Sequence, residues 1–173
     1  MRRLPWLLLP ACVLAMDLGS KAWILNLLME GESKPIIKGF FNLTLGFNRG
    51  AIFGSLTWVP ALARFILFAV AGLAALVIIG RMFLEKGTAA WDRVALGFIL
   101  GGILGNSLDR YLRGAVVDFL DFYITRMDFL FIHVHEWHYW TFNLADSFIL
   151  VGAVLYGTRM LLLRKPEPSP TEG

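Results

Sequence analysis

The sequence predicts an all-α integral membrane protein: a bundle of four membrane-crossing helices with a small strand-rich element on its outer side. Three observations predict it. Hydrophobic residues make up 57% of the 173 residues and charged residues 17%, with a mean hydropathy of +0.65. A soluble domain carries about 25% charged residues, and one this small lacks the interior to hide so much apolar surface. Four windows are apolar over lengths that cross a hydrocarbon core of ~30 Å at a rise of ~1.5 Å per residue. Finally, polar residues within three of those windows fall at one depth. The same composition excludes intrinsic disorder, and a single cysteine, Cys12, excludes a disulfide framework. The net charge of +3 comes from basic residues scattered at the ends of apolar runs. They read as topology signals, not as a nucleic-acid surface.

The first window is about Leu4 to Leu28. Met1-Arg2-Arg3 ahead of it resembles the start of a cleavable leader, but the apolar run continues well past Cys12, so an uncleaved span is expected. The second is about Val59 to Phe83, the third about Trp91 to Leu108, and the fourth about Thr141 to Leu163. Their apolar character runs all round, as lipid-facing helices require. Residues 31–58 hold short Phe, Ile, Leu and Thr runs punctuated by Gly39, Gly46, Gly50 and Gly54, the signature of strands and turns. Residues 109–140 form a connection long enough to suggest a role of its own. The tail 165–173, KPEPSPTEG, is expected to be disordered. Residues 1–173 thus form one integral membrane domain.

Lys and Arg near the span ends set the orientation. Arg2, Arg3, Arg81, Lys86, Arg93, Arg159, Arg164 and Lys165 fall on one side, and Lys34, Lys38, Arg49, Arg110, Arg113 and Arg126 on the other. That balance places both termini in the cytoplasm and residues 31–58 and 109–140 outside.

Charged residues cost about 2.5 to 3.5 kcal/mol each at a span centre, yet the first span holds Asp17 and Lys21. The third ends in Asn106, Asp109 and Arg110, and the fourth opens with Asn143 and Asp146. At ~1.5 Å per residue, Asp17 stands about 20 Å and Asn106 about 22 Å above the cytoplasmic face, while Asp146 lies about 8 Å below the outer one. The three levels nearly coincide in the outer leaflet. Lys21 follows Asp17 by one turn and shares its face, and Asn48, Asn106 and Asn143 can each donate and accept hydrogen bonds. A structural clamp and a reaction centre both fit such a layer.

Asp118, in Val116-Val-Asp-Phe119, and Asp146, in Phe142-Asn-Leu-Ala-Asp-Ser147, both sit at the outer interface among apolar residues. If two carboxylates are held close, one keeps a proton while the other stays anionic. Such a pair can activate water and protonate an amide, without a metal. Spacing alone leaves open whether these two meet. No serine sits in a nucleophile elbow. His133, His135 and His138 with Glu136 could form a metal site on a strand, but an interfacial, aromatic-belt stretch is the better reading of these clustered His and Trp residues. The glycines of Gly97 to Gly105 suit close helix packing.

These residues carry a resemblance. Asp17-Leu-Gly-Ser-Lys21, Phe47-Asn-Arg-Gly-Ala-Ile-Phe-Gly54, Gly101-Gly-Ile-Leu-Gly-Asn-Ser-Leu-Asp-Arg110, Val116-Val-Asp-Phe119 and Phe142-Asn-Leu-Ala-Asp-Ser147 follow, in order, the motifs of the bacterial lipoprotein signal peptidase family, also called signal peptidase II. Nearly the whole chain resembles it. The resemblance implies a four-helix membrane bundle with an extracytoplasmic β-cradle and a periplasmic loop or helix. It implies an aspartic endopeptidase of the bacterial inner membrane, with its active site near the outer leaflet. The substrates would be diacylglyceryl-modified prolipoproteins, cut just before the lipidated cysteine. By it, the catalytic pair maps onto Asp118 and Asp146. Asn106, Asp109, Arg110 and Asn143 map onto supporting residues, and Asp17, Lys21 and Asn48 onto residues that shape the site or hold the substrate backbone. No cofactor, metal or nucleic acid is implied, the other partners are membrane lipids, and a monomer is expected. One departure is the stretch from Phe122 to Glu136, longer than the family's usual link before Trp137-His138. The competing expectation is a small proton- or solute-conducting bundle that uses intramembrane Asp, Lys and Arg as a relay. It requires polar residues across the whole bilayer.

Overall fold

The computed structural model describes residues 4–49, 59–124, 127–129, 132–134 and 137–163, with Leu4 and residues 127–129, 132–134 and 137 described by their backbone alone. A short 3₁₀ turn, Leu4–Leu7, leads into α1, Leu8–Leu27. Pro10 falls in the first turn of α1, where its missing N–H would have no partner inside the helix. Pro10, Val13, Asp17, Lys21 and Ile24 are the buried residues of α1. Their spacing of three and four puts them on one face, so the charged pair points into the protein along with the apolar side chains.

After α1 the chain forms β1, Ser33–Ile37, and β2, Phe41–Asn48. Then come α2, Ala61–Leu84, and α3, Ala90–Arg113. Beyond α3 lie β3, Val116–Ile124, the short strands β4, Met127–Phe129, β5, Ile132–Val134, and β6, Trp137–His138, and finally α4, Leu144–Leu163. The main sheet is antiparallel in the order β1-β2-β3-β6, while β4 and β5 form a separate hairpin. Residues 33–37 and 41–48 thus form strands joined by a turn, as expected of this segment. Gly50 and Gly54 lie outside the described residues. No separate helix occurs among the described residues between Gly114 and Asn143, where the described elements are strands.

Two helix bounds differ from expectation. α3 continues five residues past Leu108 because Asp109 pairs with Arg113 one turn on. It stops at Gly114, whose φ of 69° is the left-handed conformation of a helix C-terminus and whose N–H bonds Arg110 O at 3.0 Å. α4 starts three residues after Thr141, because Phe142 is still bridged to Leu120 in extended backbone.

Among the described residues three helices, Pro5–Leu27, Ala61–Leu84 and Leu144–Leu163, are long and apolar enough to cross a membrane. α3 is long enough, at about 36 Å, but its charged ends and four glycines make it less apolar. Its surroundings explain this. α3 packs against α1, α2 and α4 together, so little of its surface requires an apolar side chain. The glycines let the neighbours approach. A Cβ on Gly101 would stand 2.6 Å from Val13 Cβ and 2.8 Å from Pro10 O, and one on Gly102 would stand 2.5 Å from Ala145 O. The all-round apolar surface expected of every span therefore holds for α2, where Phe83 is the one buried residue, and fails for α3.

The sheet sits at one end of this bundle. Ile24 and Leu28 from α1 join Leu43, Leu45, Val117 and Phe119 from the sheet in one buried cluster. β2 and β3 pair with Gly46 opposite Asp118 and Asn48 opposite Val116, and an irregularity in register lies between Leu43 and Gly46. Bulges of this kind re-aim side chains beside functional sites.

Candidate active site

The centre of the polar layer is the Lys21 ammonium, which is fully buried. It donates to Asp17 Oδ2 at 2.7 Å, Asp109 Oδ2 at 2.9 Å and Asn106 Oδ1 at 3.1 Å. All three of its N–H groups are thereby used. Asp109 bonds the Arg113 guanidinium through its other oxygen and accepts the Val117 N–H at 3.2 Å. Two carboxylates and two cations form a charge-balanced quartet, with Lys21, Asp17 and Asp109 buried and Arg113 at its exposed edge. Asp17 also accepts the Ala145 N–H at 3.0 Å. It thus satisfies one of the orphan donors at the start of α4 and ties α4 to α1.

The start of α4 is a capping box. Asn143 Oδ1 accepts the Asp146 N–H at 3.0 Å, and Asp146 Oδ2 accepts the Asn143 N–H at 3.3 Å. This reciprocal pair, three residues apart, fixes both side chains relative to the helix end. The Asn143 Nδ2 group donates to Asn106 Oδ1 at 3.1 Å and to Asp118 Oδ1 at 2.7 Å. Asn106 Nδ2 in turn donates to Asp146 Oδ1 at 2.7 Å. Because Lys21 can only donate, Asn106 must turn its oxygen toward Lys21 and its NH₂ toward Asp146. The ammonium therefore sets the orientation of the amide that holds Asp146.

Asp118, on β3, completes the centre. It is 4% exposed and accepts the Asn48 Nδ2 group at 3.1 Å in addition to Asn143. The backbone brings it there. Phe142 O accepts the N–H groups of Phe119 and Leu120, and the Phe142 N–H donates to Leu120 O, so the segment before α4 runs along β3. Burial, and after it the charge of Asp146, pushes the Asp118 carboxyl from its ordinary 3.8 up to about 7, against the opposite pull of the hydrogen bonds from Asn48 and Asn143.

Each residue that the resemblance assigned to the site lies in or beside this network. Asp118 and Asp146 meet at Asn143, with Asn48 and Asn106 each holding one of them. Asp17, Lys21 and Asp109 form the ionic quartet behind. Arg110 is placed differently from the rest. Its guanidinium lies 4.4 Å from the centre of the Phe68 ring and donates to Asn106 O at 3.4 Å, within electrostatic reach of Asp146 and Asp118.

Sequence reasoning missed two features. Arg113, the fourth member of the quartet, was signalled by its i,i+4 spacing from Asp109. The other feature is a second buried carboxylate on β3. Asp121 accepts Asn42 Nδ2 at 3.2 Å, Thr44 Oγ1 at 2.9 Å and a contact from His138 Nδ1 at 2.8 Å. His138 also stacks on Tyr123 at 5.1 Å. No spacing pattern announces this convergence. His133, His135 and Glu136, the other members of the metal-site expectation, have side chains outside those described.

Fold and site together define a class: a helical membrane protein with two acidic side chains held as a pair at the sheet-bearing end of its bundle. Residues 9–162 match the family described as signal peptidase (SPase) II, and the chain belongs to that family. It is 41% identical over 152 residues to the lipoprotein signal peptidase of Serratia proteamaculans, covering 88% of this chain and 83% of that one. To the lipoprotein signal peptidase of Chromobacterium violaceum it is 38% identical over 154 residues, covering 87% and 86%. A bacterial membrane enzyme solved by the in meso method superimposes with a TM-score of 0.75 at 28% identity, covering 95% of this chain and 93% of that one.

Proposed function

We propose that the protein is an aspartic endopeptidase of the bacterial inner membrane that removes signal peptides from diacylglyceryl-modified prolipoproteins, cutting before the lipidated cysteine. The observation that carries this reading is the junction of Asp118 and Asp146 at Asn143, with the Asp118 carboxyl pushed up to about 7. Family membership supplies the substrate class.

In this mechanism the pair begins with one proton, on Asp118. The Asp146 carboxylate takes a proton from water as the water oxygen attacks the scissile carbonyl carbon, and Asp118 gives its proton to the carbonyl oxygen. The resulting gem-diol collapses. One of its hydroxyl protons returns to Asp118, the proton on Asp146 passes to the leaving nitrogen, and the C–N bond breaks. The pair is restored to its starting state. The Asn side chains hold the carboxyls without titrating themselves.

We further read α3 as a fourth span, both termini as cytoplasmic, and the sheet as lying at the outer leaflet, where a diacylated substrate resides. The conducting alternative is not favoured. Toward the cytoplasmic side of Asp17, the face between α1 and α3 is Val13 and Pro10 closed onto Gly101, so among the described residues the network has no polar continuation there. The test is cleavage of a diacylated prolipoprotein by the purified protein in the presence of a chelator. Asp118→Asn and Asp146→Asn should each abolish cleavage while the protein stays folded. Parental rates in either variant would refute the assignment.

A further inference from the structure

The two acids of the centre sit on different stretches of chain, Asp118 on β3 and Asp146 beyond the run that leads from β6 into α4. How that run lies against β3 sets how the acids face each other. Near α4 it is tied at Phe142, which is bridged to Leu120 and stacks on Phe122 at 5.8 Å. Its other tie is β6, Trp137–His138, where His138 stands opposite Tyr123 and the neighbouring Tyr139 N–H donates to Phe122 O at 2.7 Å. So short an edge ladder has few hydrogen bonds and opens readily. This one must also close residues 125–136 into a loop, at an entropic cost that grows with loop length.

Side chains strengthen that tie. Asp121, also on β3, is buried, and a carboxylate can only accept. Its Oδ2 takes the Asn42 amide at 3.2 Å and the Thr44 hydroxyl at 2.9 Å, and its Oδ1 meets His138 Nδ1 at 2.8 Å. Nδ1 therefore carries the hydrogen. Thr44 gives its own hydrogen to Asp121, so Ser33 is the donor where the two hydroxyls meet at 2.8 Å. The imidazole lies 11° from parallel on the Tyr123 ring, and the Tyr123 hydroxyl accepts the Gly39 N–H at 2.8 Å. Through Ser33, Asn42, Thr44 and His138, one buried carboxylate thus joins β1, β2, β3 and β6.

We propose that Asp121 and His138 are positioning residues for peptide cleavage: their clasp seats the run 138–142 on β3 and so sets Asp146 at its working distance from Asp118. This inference rests on the peptidase reading and deepens it. The two residues act through the backbone. His138 fixes β6. Phe142 then carries the constraint to β3, its O accepting the Phe119 and Leu120 N–H groups at 2.9 and 2.8 Å. The capping box of Asn143 and Asp146 begins at the next residue. A misplacement of ~1 Å between reacting groups can lower a rate about a hundredfold. Loosening one of two ties should therefore cost about tenfold.

The test is cleavage of a diacylated prolipoprotein in a single turnover with the enzyme in saturating excess, where the rate constant does not depend on how much of the enzyme is folded. The His138 side chain is 46% exposed, so replacing it empties no core position. His138→Phe keeps a ring on Tyr123 and drops the donor to Asp121. Its rate constant should fall about tenfold, with KM little changed. His138→Asn loses the ring but carries an N–H where Nδ1 stood, and should recover most of the lost rate. Hydrogen exchange reads the connecting link. The Phe119 and Leu120 N–H groups should exchange faster in His138→Phe and at nearly the parental rate in His138→Asn. A parental rate constant in His138→Phe, a change confined to KM or Tm, or no recovery in His138→Asn overturns the inference, as does unaltered exchange at those two amides. Failure of the parental protein to cut the prolipoprotein counts instead against the peptidase reading itself.

Discussion

Replacing Asp118 with asparagine should make the protein more stable as the pH rises. The raised carboxyl has a definite sign. Folded Asp118 holds its proton up to about pH 7, whereas in the unfolded chain it is lost near 3.8. Between those values the folded state binds more protons, so stability falls as pH increases. Asp118's contribution is fully present below about pH 4 and gone above about pH 7. The shift is roughly 3 pH units, and at ~1.4 kcal/mol each the ionised carboxylate costs the folded state about 4 kcal/mol at alkaline pH. The asparagine variant would escape that cost. It would also present an NH₂ where Asp118 now accepts from Asn48 or Asn143, losing about 1 kcal/mol at every pH. The slope with pH, not the absolute difference, is therefore diagnostic.

The assay is thermal unfolding of parent and Asp118→Asn in detergent micelles from pH 4 to pH 9. The variant should match or trail the parent at pH 4 and gain steadily through pH 7, reaching a Tm advantage on the order of 10 °C for a 4 kcal/mol difference in a chain of this length. Activity should be absent throughout. A Tm difference that stays constant over this range, or a parent that gains on the variant with rising pH, would refute the account of Asp118.

Cleavage by the parent should decline above about pH 7 as Asp118 gives up its proton, and Asn48→Ala, which removes a hydrogen bond favouring the anion, should move that decline to higher pH; a pH profile of kcat/KM reads the shift. Lys21→Met leaves Asp17 and Asp109 facing each other with one cation fewer, and should cost about 3–5 kcal/mol, visible as a large fall in Tm. Asn143→Ala removes the cap of α4 and the hydrogen bond to Asp118. It should cost about 1 kcal/mol of stability, yet lower kcat at least a hundredfold, measured on the variant after its Tm has been recorded.

Features within a single helix were the ones legible in the sequence. Asp17 and Lys21 share a face because they are one turn apart, and the common depth of Asp17, Asn106 and Asp146 follows from helical rise alone. The ends of α3 and α4 were misjudged for one reason: hydropathy stops reporting where polar side chains take over the backbone's needs. Beyond Leu108 the helix is extended by a charge pair and a glycine cap. Before Leu144 the chain is held straight by Phe142 against β3. Strand pairing was less legible still. The register that sets Asn48 beside Asp118 joins residues 70 positions apart, and the Asp121 centre joins residues 77 and 79 apart. Neither pairing leaves a periodic trace. The family resemblance supplied the Asp118 and Asp146 pairing that spacing could not.

The division of the polar layer into ions and amides has a chemical consequence. Asp17 and Asp109 touch cations directly, in a quartet with Lys21 and Arg113. Asp118 and Asp146 are instead reached by the neutral amides of Asn48, Asn106 and Asn143. A lysine in place of Asn106 would bring a full charge against Asp146 and favour ionisation of both carboxyls, removing the proton that a water-activating pair needs. An amide fixes the oxygens in space while leaving that proton in play. Its own orientation must then be enforced from behind, which the Lys21 contact to Asn106 and the capping box of Asn143 do. The buried ammonium thus acts on the pair through geometry more than through charge.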